Sequence, residues 1–299
     1  MLLLTSALFD TLKPSPECSV KYYRTFILQH MAITTSTIVA QCNLMPEMFG
    51  EPKKSIDDHI DNFIGKIPER SESIREEYKF HCMAGHIDPG SLIQENEPRI
   101  FISDSFKSKA KEYKISSREL VIRTLNASAF LEYFFLFEST ITKIYKDRYQ
   151  QSSERGLMLG GKDAITKCLM GKLKNDKTEV KFFTDLKIRS KFFTNSSQLE
   201  SVWRLLNFIR NQQVHSGGVY DNRSKKMFGI YIDNICKSYN DDDEMVLTIN
   251  LFLNTLEPIK ENIEKNGHII FNDSLENLVR NFSLFVMESL YVTETRRIN

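Results

Sequence analysis

In the stretch LLNFIRNQQVHSGG, residues 205–218, three polar side chains fall within a turn and a half of one helix-like run: Arg210, Asn211 and His215. These types can cut RNA without a metal. A base must take the proton of the 2′-hydroxyl, and a cation must steady the charge that develops on the phosphate oxygens. An imidazole with an ordinary pKa of about 6.5 suits the first task. A guanidinium suits the second, because its fixed fork matches phosphate oxygens and stays charged. Asn211 and His215 stand at i and i+4, so the amide can orient the ring. One helix supplies only one such pair, and two copies face to face would build a fuller site.

The element that carries these residues reads as a helix with two unlike sides. Val202, Leu205, Leu206 and Ile209 form a narrow apolar stripe. Arg210 and His215 lie about 140° apart on the wheel, with Arg204, Asn207 and Asn211 between them on the polar side. Ser197 with Glu200 reads as a capping box, and Gly217–Gly218 as the stop. An earlier helix opens at a second such box, Ser116 with Glu119, and runs to about residue 150. Phe130, Leu131, Phe134, Ile141 and Tyr145 make its stripe. Glu138 sits within that stripe, where a carboxylate costs several kcal/mol unless paired. Its partner is Arg210 or His215 across the bundle, or another cation, or it is partly exposed at an edge.

The Arg–Asn–three residues–His pattern at a helix end, followed by Ser-Gly-Gly, resembles the motif of the HEPN superfamily. The resemblance covers about 115–299. It implies an α-helical bundle that dimerises through the motif helices, and metal-independent endoribonuclease activity leaving a 2′,3′-cyclic phosphate. By that resemblance His215 is the base, Arg210 the phosphate stabiliser and Asn211 its polar support. It also implies RNA as substrate, a homodimer, no cofactor, and a place in toxin–antitoxin or phage-defence systems with an antitoxin or defence partner. The same family contains members that have lost activity and serve as dimerisation or nucleotide-binding adaptors. One subgroup carries a Tyr two residues after the His; here Gly217 stands there and the nearest Tyr is Tyr220.

Other stretches carry weaker signals. Residues 162–191 hold nine Lys/Arg against four Asp/Glu. With Phe182, Phe183, Phe192 and Phe193 interleaved, they can guide an RNA backbone through Lys187, Arg189 and Lys191, or can form a solvated face over core Phe pairs. GLMLGGKD, from Gly156 to Asp163, nearly spells a phosphate-binding loop, but Asp163 stands where a magnesium-holding Ser or Thr is needed. His81, Cys82 and His86 lack the further ligands of a metal site, and none is expected.

The fold expected is mainly α: a HEPN-like bundle over 111–299, with a small β-hairpin insertion from KMFGIYIDNI and EMVLTIN joined by a polar DDDE turn at 241–244. Residues 1–110 form a mixed or helical N-terminal lobe, the natural place for a sensor or inhibitor-binding region. Within it 56–67 reads as helix, 86–99 as turns and RIFISDSF as a strand. At 299 residues, 41% hydrophobic and 26% charged, the chain has material for a sizeable core, much of it aromatic given 21 Phe. A net charge of +1 excludes a polycation, so any RNA contact is a local patch. Five scattered Cys without CxxC spacing fit reduced thiols. MLLLTSALF lacks a basic lead and a clean cleavage site, and no stretch approaches ~20 continuous apolar residues, so a cytoplasmic protein without a membrane span is expected.

Overall fold

In a computed structural model the structure describes residues 21–44, 53–85, 102–149, 177–239 and 246–295. Among them are ten helices: α1 Lys21–Leu44, α2 Lys53–Gly65, α3 Ile67–Ala84, α4 Ile102–Glu112, α5 Ser117–Tyr149, α6 Lys177–Ser190, α7 Ser196–Ser216, α8 Asn222–Lys237, α9 Val246–Asn266 and α10 Asp273–Thr295. The protein is mainly helical, and the described residues contain one isolated β-bridge and no strand. The chain divides into two compact units, Met1–Ile38 with Leu125–Asn299, and Val39–Thr124. That division falls away from the expected boundary at 110.

The hairpin expected from KMFGIYIDNI and EMVLTIN is replaced by helix. Phe228 and Ile235 are buried and Tyr231 and Ile232 half-buried, which is the i, i+3/i+4, i+7 spacing of one helical face. Asp221 caps α8 by accepting the Ser224 N–H at 2.7 Å. From Val246 the second run opens a 21-residue helix whose Ile249, Phe252, Leu256, Ile259 and Ile263 are buried. β-branched content suggested strands; the period decides for helix. RIFISDSF is likewise helical from Ile102, with Asp104 in the first turn and Lys109 and Lys111 in the last, each on the side the helix dipole favours. The turns at 86–99, the loop 156–163, the DDDE segment, MLLLTSALF and His86 lie outside the described residues.

The core of the larger unit is aromatic. Trp203 of α7 stacks on Phe134 of α5 at 4.6 Å and on Phe282 of α10 at 6.0 Å, with Phe137 edge-on at 5.5 Å. Three helices therefore meet on one indole. Phe182, Phe183, Phe192 and Phe193 are all buried, so they belong to this core and are not offered to RNA bases. Helix α5 holds an 18-residue window of mean hydropathy 1.4 within Ser117–Ile144, which by length and composition is enough to cross a membrane. This departs from the sequence expectation. Its Phe130, Tyr133, Phe134, Phe137 and Ile141 are all in the protein core.

Helix α1 joins the same core. Tyr23, Phe26 and Ile27 are buried, and Tyr23 stacks on Tyr291 at 4.2 Å. His30 is buried with Nε2 3.1 Å from the Arg280 carbonyl, and Thr34 shares a 2.8 Å hydrogen bond with the Tyr133 hydroxyl.

Candidate active site on helix α7

Helix α7 starts two residues earlier than the expected capping box. Asn195 is the cap, its side chain accepting the Gln198 N–H at 3.0 Å, while Gln198 reaches back to the Thr194 N–H at 2.7 Å. Ser197 is already helical and Glu200 buried. The expected box at Ser116 does form, with Oγ accepting the Glu119 N–H at 3.1 Å. At the other end of α7, Gly217 and Gly218 take φ of 58° and 79°, and the Gly218 N–H returns to the Gln212 carbonyl at 3.1 Å. The turn is then pinned from outside: Tyr220 N–H donates to the Gly267 carbonyl at 2.7 Å and Ile269 N–H to the Gly218 carbonyl at 3.0 Å. The last turn of α7, which carries His215, is thus fixed by both its stop and its neighbour.

Arg210 projects from α7 onto α5. One terminal nitrogen donates to Glu138 Oε2 at 2.8 Å and the other to Asn211 Oδ1 at 2.7 Å. The guanidinium carbon lies 5.1 Å from the Phe134 ring centre and 5.2 Å from that of Phe135. Arg210 and Glu138 are 19% and 21% exposed, so the pair is sheltered yet reachable from solvent. Each terminal nitrogen keeps a second N–H, since a guanidinium has five.

Glu138 therefore meets Arg210 across the helix pair. Asn211 uses its oxygen on Arg210. His215 is exposed and has no hydrogen-bond or ion-pair partner among the described residues. Val214 and Val219 flank it, 47% and 48% exposed.

The remaining expected site residues are less gathered. Arg204 and Asn207 are half-buried on α7, the Arg204 Nε buried without a hydrogen bond. Arg189 is committed within the fold, to Asp185 at 2.5 Å and Glu288 at 2.8 Å. Lys187 and Lys191 are exposed around the end of α6. His81 is exposed beside Glu77, and no cluster of metal-ligating side chains occurs among the described residues. Cys42 and Cys236 are free, half-buried thiols. Tyr220 is buried, so its hydroxyl is out of reach of a modifying enzyme.

Phe134 and Phe135 were missed as parts of the site. They stand four and three residues before Glu138, on the same side of α5, which is the spacing that would have found them.

Compared with protein-family models, with curated proteins and with solved structures, the chain matches none. The resemblance to the HEPN motif accordingly rests on the sequence pattern of Arg210, Asn211 and His215 alone.

Proposed function

We propose that the protein is a metal-independent endoribonuclease of HEPN type. The observation that carries this reading is the seat of Arg210: two rings beneath it, a carboxylate and an amide fixing its fork, and N–H groups left over. Preorganised donors of this kind stabilise developing phosphate charge without rearranging at the moment of reaction. His215 lies five residues on, exposed, in the same helix. It takes the 2′-hydroxyl proton, the freed oxygen attacks the adjacent phosphorus, and the P–O5′ bond breaks with the 5′-oxygen taking a proton from water, giving a 2′,3′-cyclic phosphate. Because Arg210 and His215 edge a face about 140° wide, a second copy laid along α7 completes the site; exposed Val214 and Val219 support burial there. The unit Val39–Thr124 is the region left for control by a trigger or an antitoxin-like partner, and a cytoplasmic toxin or phage-defence effector is the setting the resemblance implies.

One observation favours a second reading, a non-catalytic dimerising or nucleotide-binding adaptor. Glu138 neutralises Arg210, and Asn211 serves the Arg rather than the His. The test is incubation of purified wild type, Arg210→Ala and His215→Ala with total RNA in EDTA, followed by 3′-end analysis. Cyclic phosphates from wild type alone support the nuclease. RNA left intact by all three, with harmless expression of wild type in cells, supports the adaptor.

A further inference from the structure

Between α1 and α5 the surface dips into an open groove of about 580 Å3 that Phe135 helps to line. Its walls include Gln29, Ala32 and Ile33 from α1, and Glu132, Phe135 and Ser139 from α5. Glu132, Phe135 and Ser139 stand at i, i+3 and i+7, so one side of α5 offers an aromatic ring between two polar groups. The Phe135 ring is 43% exposed and is held at right angles to Phe134 at 6.2 Å. It thus borders the groove while also lying 5.2 Å from the Arg210 guanidinium.

The geometry points to a nucleobase subsite in this groove, with Phe135 as the stacking platform and Glu132 as the acceptor that selects a base bearing an exocyclic amino group. The inference rests on the RNA reading of Arg210. A phosphate held by Arg210 is joined through its sugar to a base, and the aromatic surface bordering the guanidinium on the groove side is Phe135. Stacking on a ring tolerates every base. The carboxylate of Glu132 does not: it accepts hydrogen bonds and repels phosphate. Adenine, cytosine and guanine present an amino donor on the pairing edge, whereas uracil presents two carbonyls around one N–H. Gln29 supplies both a donor and an acceptor on the opposite wall. The backbone is therefore expected to enter on the Arg210 side and the base edge to point toward Glu132.

The test measures binding of fluorescent 2′-O-methyl hexamers of A, C or U to the full-length protein, alongside cleavage of total RNA. Wild type should bind the A and C hexamers about 5- to 100-fold more tightly than U. Phe135→Ala should weaken all three by about 5- to 100-fold, and Phe135→Tyr should restore them. Glu132→Gln should flatten the preference. Ala32→Trp, which fills the groove from α1 and leaves the Phe135–Arg210 contact alone, should weaken binding without unfolding. Cleavage by a wild type whose hexamer affinities are unchanged by Phe135→Ala and Ala32→Trp overturns the subsite and leaves the nuclease standing. Binding that depends on Phe135 and Glu132 without cleavage keeps the subsite and removes the nuclease. Failure to bind any hexamer overturns the subsite.

Discussion

Arg210 uses two of its five N–H groups inside the protein, and what fixes those two decides where the others point. Glu138 is the stronger constraint, because Asn211 is the neighbouring residue on the same helix and travels with the Arg. Removing the carboxylate should therefore release the fork rather than activate it. Glu138→Ala is expected to lower cleavage about 10- to 100-fold. Its effect on stability should be about 1–3 kcal/mol, since both partners are only about one-fifth exposed and the sheltered guanidinium loses its charged partner. Cleavage assays paired with thermal melts check this; a large melt shift with intact activity would make the pair structural. Lysine at 210 keeps the charge but loses the fork, and Arg210→Lys should resemble Arg210→Ala in rate. That Glu138 needs a partner was legible in the sequence, because a carboxylate in an apolar stripe has few ways to exist. Which cation it meets was not legible, since that depends on how α5 and α7 cross.

Among the elements, the turn that ends α7 is the most exacting. At Gly217, φ is 58° and a Cβ would meet open space, so Gly217→Ala should cost about 1 kcal/mol from backbone alone. At Gly218, φ is 79° and a Cβ would lie 2.7 Å from Gln213 Oε1 and 3.0 Å from an Ile269 methyl. Gly218→Ala should cost more, about 2–3 kcal/mol, and should disturb the last turn holding His215. Chemical denaturation of the two variants, compared at one temperature, measures the difference. Helix α1 shows why part of the fold was hidden. Its buried positions are Tyr23, Phe26, Ile27, His30, Thr34 and Thr37, a regular helical stripe in which three of the six are polar. A pattern search keyed to apolar residues sees no period there. The buried polar positions also carry a pH signature. Burial, against a hydrogen bond to the Arg280 carbonyl, lowers the His30 pKa to about 4. Its contribution is present above the ordinary value near 6.5 and is lost as pH falls through about 4, by about 3 kcal/mol in total. Glu276 runs the other way. Burial raises its carboxyl to about 7 although Arg280 lies 3.2 Å away, so its contribution is present below about 4.5 and is lost as pH rises through about 7. The two windows overlap between about 4.5 and 6.5 with opposite slopes, so His30→Gln should leave stability falling as pH rises there, and Glu276→Gln should leave it rising. Denaturation midpoints between pH 4 and 8 read both slopes.

At the scale of the molecule, the sequence separates helices well and joins them poorly. The motif helix and the long α5 follow from 3.6-residue periods in their apolar residues, whereas α10 is buried on every side from Leu278 to Tyr291. The association of residues 21–38 with 125–299 does not, because it joins stretches about a hundred residues apart whose complementarity appears only when packed. A cut at 111 tests that association. It removes Tyr23, Phe26 and Ile27, all at or below 2% exposure, and strips the cover from Tyr291. Deleting a single large buried side chain costs about 2–5 kcal/mol, and whole domains hold about 5–15 kcal/mol. Losing three at once should consume most of that margin. Residues 111–299 expressed alone should be insoluble or melt without cooperativity, while residues 21–44 supplied as a second chain should recover soluble protein. If 111–299 instead melts like the full chain, α1 is dispensable to the fold. Activity retained by that fragment would then place the catalytic machinery wholly within it and leave 1–110 to control.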